Sequence, residues 1–215
     1  MPPNFWDKRA KKYDNRVQNH DALYVRSIEA VKSMLSASDV ALDLGCASGE
    51  YSLDLARFVR RIHGIDTSTR MIALATQKAR DRSVDNATFA PVDVFDRSLD
   101  AHGYTVVLAF NLLHLVDDIR AVLGRVHMLL QTGGLVISHT PCLSDAGLPF
   151  RMFVAFAQTV KMVPPILSLT ASELKAGIAG TGFDIAESAV WDRKKAMQWI
   201  VARKRARIPS GEEGA

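Results

Sequence analysis

Between residues 40 and 138, short apolar runs alternate with segments of helical period, and this alternation constrains the fold more than any other feature. Val40-Ala41-Leu42-Asp43-Leu44 is apolar but for one aspartate and stops at Gly45, the pattern of a strand buried on both faces. A helical stretch from Gly49-Glu50 through Arg60 follows, then a second strand at Arg61–Ile65. Next comes a helix that Ser68 caps and that runs to about Arg80. Thr88–Val92, Tyr104–Phe110 and Gly134–Ser138 predict three more strands; a helix over Asp118–Leu130 and a turn at Gln131-Thr132-Gly133 precede the last. Such repeats imply right-handed crossovers and a mainly parallel sheet covered on both faces, an α/β, doubly wound, Rossmann-like fold.

The flanking segments complete this plan. Phe5 to Leu35 carries apolar residues at helical spacing and predicts two helices that act as a lid over residues 1–36. The cofactor-binding core is expected over 38–140, an apolar insertion or second lid over 141–170, and a helix at Ser172–Ala179. Two closing strands, Phe183–Val190 and Met197–Arg203, lie close enough to pair as an antiparallel hairpin and bring the sheet to seven strands. One domain over 1–205 and a flexible tail over 206–215 are the expectation.

Composition excludes several classes. Cys46 and Cys142 are far apart and in no Cys/His cluster, so neither a disulfide framework nor a zinc site is expected, and no metal. The first residues lack the apolar region of a secretory leader, and the apolar stretch Leu148–Leu169 is broken by Arg151, Gln158, Lys161 and Pro164-Pro165. A cytoplasmic protein without a transmembrane segment is expected. The net charge of +4 is concentrated at the two ends, from Lys8 to Arg16 and from Arg193 to Arg207. Solvated surfaces account for it; attraction to an anionic lipid surface or to RNA is the functional alternative, and peripheral membrane contact stays open.

In an open α/β sheet, ligands bind beyond the carboxyl ends of the strands, where the strand order reverses. After the first strand comes Asp43-Leu44-Gly45-Cys46-Ala47-Ser48-Gly49, whose small residues let backbone approach a ligand and whose amides are candidate donors. After the second comes Asp66, followed by Thr67 and placed to accept from the two hydroxyls of a ribose; after the third, Asp93 and Val94, suited to an adenine; after the fourth, Asn111. A nucleoside site is outlined.

This ordered set resembles the class I S-adenosylmethionine (SAM)-dependent methyltransferases, and within them the small-molecule branch that includes quinone-biosynthesis enzymes, over residues 5 to 205. The resemblance implies that SAM is the cofactor and S-adenosylhomocysteine its product. Asp43 and the Gly45–Gly49 backbone, with Cys46 and Ala47, would hold the methionine part, Asp66 the ribose, and Asp93 with Val94 the adenine. Met71 would pack on the adenine, Asn111 would offer its backbone carbonyl to the ammonium, and Tyr13 belongs to a helix that the family folds over the cofactor. Asp66-Thr67-Ser68-Thr69-Arg70-Met71 is similar to the family's second motif. Ala47 departs from it, since the family usually has glycine there.

Methyl transfer from a sulfonium is an in-line displacement that asks mainly for alignment and exclusion of water; a base helps only where the acceptor must lose a proton. His114 and His139 are the candidate bases. The aromatic run around Phe150, Phe153 and Phe156 predicts a lid that contacts a hydrophobic small-molecule acceptor such as a quinone, lipid or aromatic metabolite. A nicotinamide dehydrogenase would read G-x-G-x-x-G after the first strand, whereas Gly45 is followed next by Gly49. Amino-methylating nucleic-acid enzymes carry Pro-Pro and an aromatic after the fourth strand, where this chain reads Asn111-Leu112-Leu113-His114, which argues against a nucleic-acid partner. An RNA or protein methylator of another kind, and a SAM-binding module without turnover, remain the alternatives. The oligomeric state is not legible.

Overall fold

Every residue of Val40–Leu44 is buried, and this run forms β1 at the middle of the sheet. The computed structural model describes residues 5–101 and 103–206, so the expected tail, apart from Ala206, lies outside the described residues. The further strands are β2 (Arg61–Ile65), β3 (Ala87–Ala90), β4 (Tyr104–Phe110), β5 (Leu130–Pro141), β6 (Phe183–Asp192) and β7 (Met197–Lys204). They form one sheet in the order β3-β2-β1-β4-β5-β7-β6. The first five strands of the chain pair in parallel, while β7 runs antiparallel between β5 and the edge strand β6. This is the Rossmann-like sheet, with its closing hairpin, that the alternation predicts.

Several boundaries differ from the sequence reading: the helix expected through Arg60 ends at Leu55, with a 3-10 turn after it, and the fifth strand runs on to Pro141. Strand β3 ends at Ala90 rather than Val92. Strand β5 begins at Leu130 and absorbs the expected turn: Tyr104 pairs with Leu130 but Val106 with Leu135, an irregularity that Gly133, at φ +77°, accommodates.

Helices α1 (Ala10–Val17) and α2 (Ala22–Lys32) precede β1; α3 (Glu50–Leu55), α4 (Thr69–Asp81) and α5 (Ile119–Leu129) connect strands. After β5 come α6 (Leu148–Thr159) and α7 (Ala171–Gly180). Side chains that satisfy free amides set the starts: Asp21 for α2, Ser68 for α4, Asp118 for α5, and a reciprocal Thr170/Glu173 box for α7. Alternate residues of the strands divide the core between the two faces. Leu42, Val107, Val136 and Ile200 pack with Val122, Val126, Leu174 and Ile178 of α5 and α7. Ala41, Leu108, Ile137 and Trp199 pack with Ile28, Val31 and Leu53 of α2 and α3.

A buried ionic cluster ties α1 to this sandwich. Lys78 Nζ on α4 donates to Asp14 Oδ1 at 2.5 Å and to Glu50 Oε1 at 2.6 Å, while Arg82 bonds both oxygens of Glu50. Burial alone would raise the pKa values of both acids, but the hydrogen bonds and charges of Lys78, with Arg82 for Glu50, outweigh it and hold them below their ordinary range. Asp7, ahead of α1, accepts from Ser68 Oγ at 2.6 Å and from the Arg70 amide at 3.1 Å. The amino-terminal segment is thereby pinned at both ends of α4's first three turns.

Candidate functional site

The chain order reverses beside β1: successive strands first build outward through β2 and β3, then return to the other side at β4. Beyond the carboxyl ends of these strands lies a cavity of about 1160 Å³. That exceeds the 300 to 1,000 Å³ or so of an ordinary small-molecule pocket and has room for a nucleoside and a second ligand together. Of the residues singled out in the sequence, Tyr13, Gly45, Ala47, Asp66, Thr67, Met71, Asp93, Val94, Asn111, His114 and Phe150 line it. Asp43, Cys46, Gly49, His139, Phe153 and Phe156 do not.

The loop after β1 works differently from the expected nest of donors. The amides of Gly45 and Cys46 both donate to Ile65 O, that of Ala47 to Asp66 Oδ2 at 3.1 Å, and that of Gly49 to Cys46 O. Three of these donors hold the loop against the end of β2 and the residue after it, and the fourth closes a turn within the loop, so the contribution of these residues to the cavity is close approach. Glycine suits Gly45 because φ is +72°, a conformation strained for any side chain, and a Cβ there would also have to displace Leu112 Cδ1, 2.7 Å away. Ala47 holds φ +48° with a side chain, a strained conformation for alanine. Asp43 is enclosed behind the loop, 2% exposed, and accepts from Ser52 Oγ at 2.5 Å. Burial, only partly opposed by Ser52, raises its pKa to about 6. Cys46 is buried, and Gly49 stands before α3 at φ +80°.

Asp66 is the acid that reaches the cavity. Its carboxylate accepts from the Ala47 and Ser68 amides, and burial keeps its pKa raised despite both bonds. Two filled acceptor sites out of about four leave capacity for further donors, which two ribose hydroxyls would fill, so the residues present fit a nucleoside cofactor. Asp93 accepts from the Phe95 amide at 2.8 Å at the start of the next loop. Arg125 of α5 fastens that loop by donating to the carbonyls of Val94, Asp96 and Leu99. Asn111, at φ +51°, turns the chain off β4 and donates its amide to His139 O.

His114 is buried but borders the cavity, and among the described residues its Nδ1 has no hydrogen-bond partner. Burial pulls its pKa down to about 4, so the ring is neutral near pH 7. His139 lies in the core behind it, stacked on Phe110 with centroids 4.6 Å apart and 3.4 Å from the Tyr51 hydroxyl. Burial, with His114 nearby, lowers its pKa to about 3. Of the three aromatics on α6, Phe150 meets the cavity, whereas Phe153 and Phe156 face away and are exposed. Trp6, Tyr24, Tyr51, Phe110, Ile166 and Met197 line the wall without having been singled out. Tyr51 could have been found, since it sits in the first turn after the glycine loop; Trp6 and Tyr24 are brought in only by the folding back of the amino-terminal segment.

The sequence profile of a family described as "Methyltransferase domain" matches residues 35–203. The chain belongs to this methyltransferase family. It is 23% identical over 140 residues to an uncharacterized methyltransferase of Anoxybacillus flavithermus, covering 62% of this chain and 64% of that protein. It is 39% identical over 59 residues to the 23S rRNA (uracil(1939)-C(5))-methyltransferase RlmD of Aeromonas salmonicida, covering 27% of this chain and 13% of that protein. Both matches span less than two thirds of the relative's length. Among solved structures, a Haloferax volcanii methyltransferase in complex with the Trm112 methyltransferase activator superimposes with TM-score 0.74 at 15% identity, over 94% of this chain and 98% of that structure's chain. At that identity the likeness concerns the fold. The sheet order and the position of the cavity are those that the resemblance to the class I SAM-dependent methyltransferases implies.

Proposed function

We propose that the protein transfers a methyl group from SAM to a small hydrophobic or aromatic acceptor, releasing S-adenosylhomocysteine. The observation that carries the acceptor class is the wall built by Phe110, Leu115, Val116, Phe150, Val163 and Ile166, apolar throughout, with the neutral imidazole of His114 beside it. SAM, when bound, supplies an electrophilic methyl whose leaving group is a neutral thioether, so the side chains serve to align the acceptor and exclude water. Asp66 accepts from the ribose hydroxyls and Asp93 from the adenine amine, Val94 and Met71 pack on the ring, and Asn111 turns its carbonyl to the ammonium. The buried Asp43 supports the glycine loop from behind rather than touching the ligand. His114, which borders the cavity, accepts a hydrogen bond or a proton from an acceptor hydroxyl.

In this reading residues 1–205 act as one cytoplasmic methyltransferase domain, with α1 as the cover that contributes Tyr13. The rRNA activity of the RlmD relative is not carried over, because the shared stretch is 13% of that protein. The test is to incubate the protein with methyl-labelled SAM and an extract of its source cells, then to partition the label, with heat-killed enzyme as control. Label in organic solvent supports the reading; label on RNA or protein overturns the acceptor class; no transfer by a protein that binds SAM points to a module without turnover.

A further inference from the structure

Helix α6 has two apolar faces, and only one is used. Val154 and Ala157 are buried against the body of the protein and Phe150 meets the cavity. On the opposite side Leu148, Met152, Phe156 and, at the helix end, Val160 recur every four residues as one stripe, with Phe153 beside it. Leu148, Met152, Phe153 and Phe156 are 59–66% exposed, and Met162 just beyond the helix is exposed as well. Isolated apolar residues on a surface need no explanation, but six large exposed ones on and just beyond one side of a single helix mark an interaction face.

The charge around this face selects its partner. Residues 146–172 contain no aspartate or glutamate, and their two cations, Arg151 and Lys161, are exposed. Arg9 donates to the Lys161 carbonyl, which brings the basic stretch Lys8-Arg9-Ala10-Lys11-Lys12 alongside the end of α6. Lys8, Lys11 and Lys12 are exposed, whereas the acids flanking them are engaged elsewhere, Asp7 by Ser68 and Arg70 and Asp14 by Lys78. An apolar helical stripe bordered by cations and free of anions suits an anionic bilayer, where the apolar side chains enter the headgroup boundary and the lysines meet the phosphates. No helix among the described residues is long and apolar enough to cross a membrane, so the contact would be peripheral.

We infer that the outward face of α6, with Lys8, Lys11, Lys12 and Lys161, docks the protein on an anionic lipid bilayer. Docking there sets the cavity wall formed by Phe150, Val163 and Ile166 directly behind the membrane-facing helix. Surface binding stands independently of the methyl-transfer reading; delivery of a lipophilic acceptor from the bilayer rests on it.

The experiment is co-sedimentation of the full chain, without SAM or acceptor, with vesicles of phosphatidylcholine alone or mixed with phosphatidylglycerol. Wild type should sediment with the anionic vesicles only, and added salt should weaken the binding. The double variant Phe153→Ser/Phe156→Ser should bind at least tenfold less tightly with an unchanged Tm, since neither ring is in the core. Lys8→Glu/Lys12→Glu should lose affinity while leaving the helix intact. Equal binding by wild type and the serine variant, or no binding to anionic vesicles, would overturn the inference. So would a wild-type dimer in size-exclusion chromatography that the serine variant dissolves, which would make the face a contact between copies. Because no methylation is read out, failure here leaves the catalytic reading untouched.

Discussion

Asp66 and Asp43 are both aspartates near strand ends, yet their surroundings give them different work. Asp66 reaches the cavity with acceptor capacity to spare, so Asp66→Ala should remove charge-assisted hydrogen bonds worth about 1.5–3 kcal/mol and weaken SAM binding about ten- to 150-fold. Calorimetric titration of the folded variant checks this, and unchanged affinity would remove Asp66 from the site. Asp43 is sealed in the core, and its folded pKa of about 6 stands above its ordinary value of 3.8. A raised pKa favours the folded state while the group is protonated: the contribution is fully present below about pH 4 and lost as pH rises past about 6. Its size is on the order of 3 kcal/mol. Asp43→Asn should therefore abolish that decline in the urea midpoint of the apo protein between pH 4 and 7. His114, pulled down to about 4, should add no ionisation to the pH profile of kcat/KM between pH 6 and 8; a histidine limb near pH 6.5 that disappears in His114→Ala would contradict the assignment.

At the scale of elements, the amino-terminal cover is held by ions rather than by a broad apolar face. Val17 and Tyr13 of α1 turn toward the cavity, and Asp14 and Glu50 share Lys78 beneath the helix. Lys78→Ala leaves two acids buried without their shared cation, which should cost about 3–5 kcal/mol in urea unfolding and loosen α1 from the site. Since Asp14 and Glu50 are held below their ordinary pKa values, this stability is present at neutral pH and is lost as pH falls through their folded values. Lys78→Met should show the same loss, which separates the missing charge from the missing packing. Helix α6 illustrates the limit of pattern reading: its spacing announces an apolar stripe, but a second, buried face occupies the same helix, and only packing tells which of Phe150, Phe153 and Phe156 turns inward.

For the whole molecule, cofactor binding to the folded state alone should raise stability by about 2.7 kcal/mol at a SAM concentration 100 times Kd, a Tm rise of roughly 5–10 °C. Absence of any shift with SAM or S-adenosylhomocysteine would overturn the cofactor reading. The parallel sheet, the cap residue Ser68, and the order of polar residues after successive strands were legible because they depend on local period and on neighbours a few residues apart. What the sequence could not tell was which groups are already satisfied: the loop amides turn to Ile65 and Asp66, Asp43 turns to Ser52, and His114 Nδ1 is left without a partner among the described residues. The antiparallel hairpin of β6 and β7 was legible from two strands close in the chain, whereas the placing of β7 rather than β6 against β5 was not. By itself the sequence determined the α/β class and the line of residues at the strand ends, since burial period and turn chemistry act over a few positions. Tertiary structure decided which of those residues face the cavity, because hydrogen-bond satisfaction and helix orientation depend on groups distant in the chain.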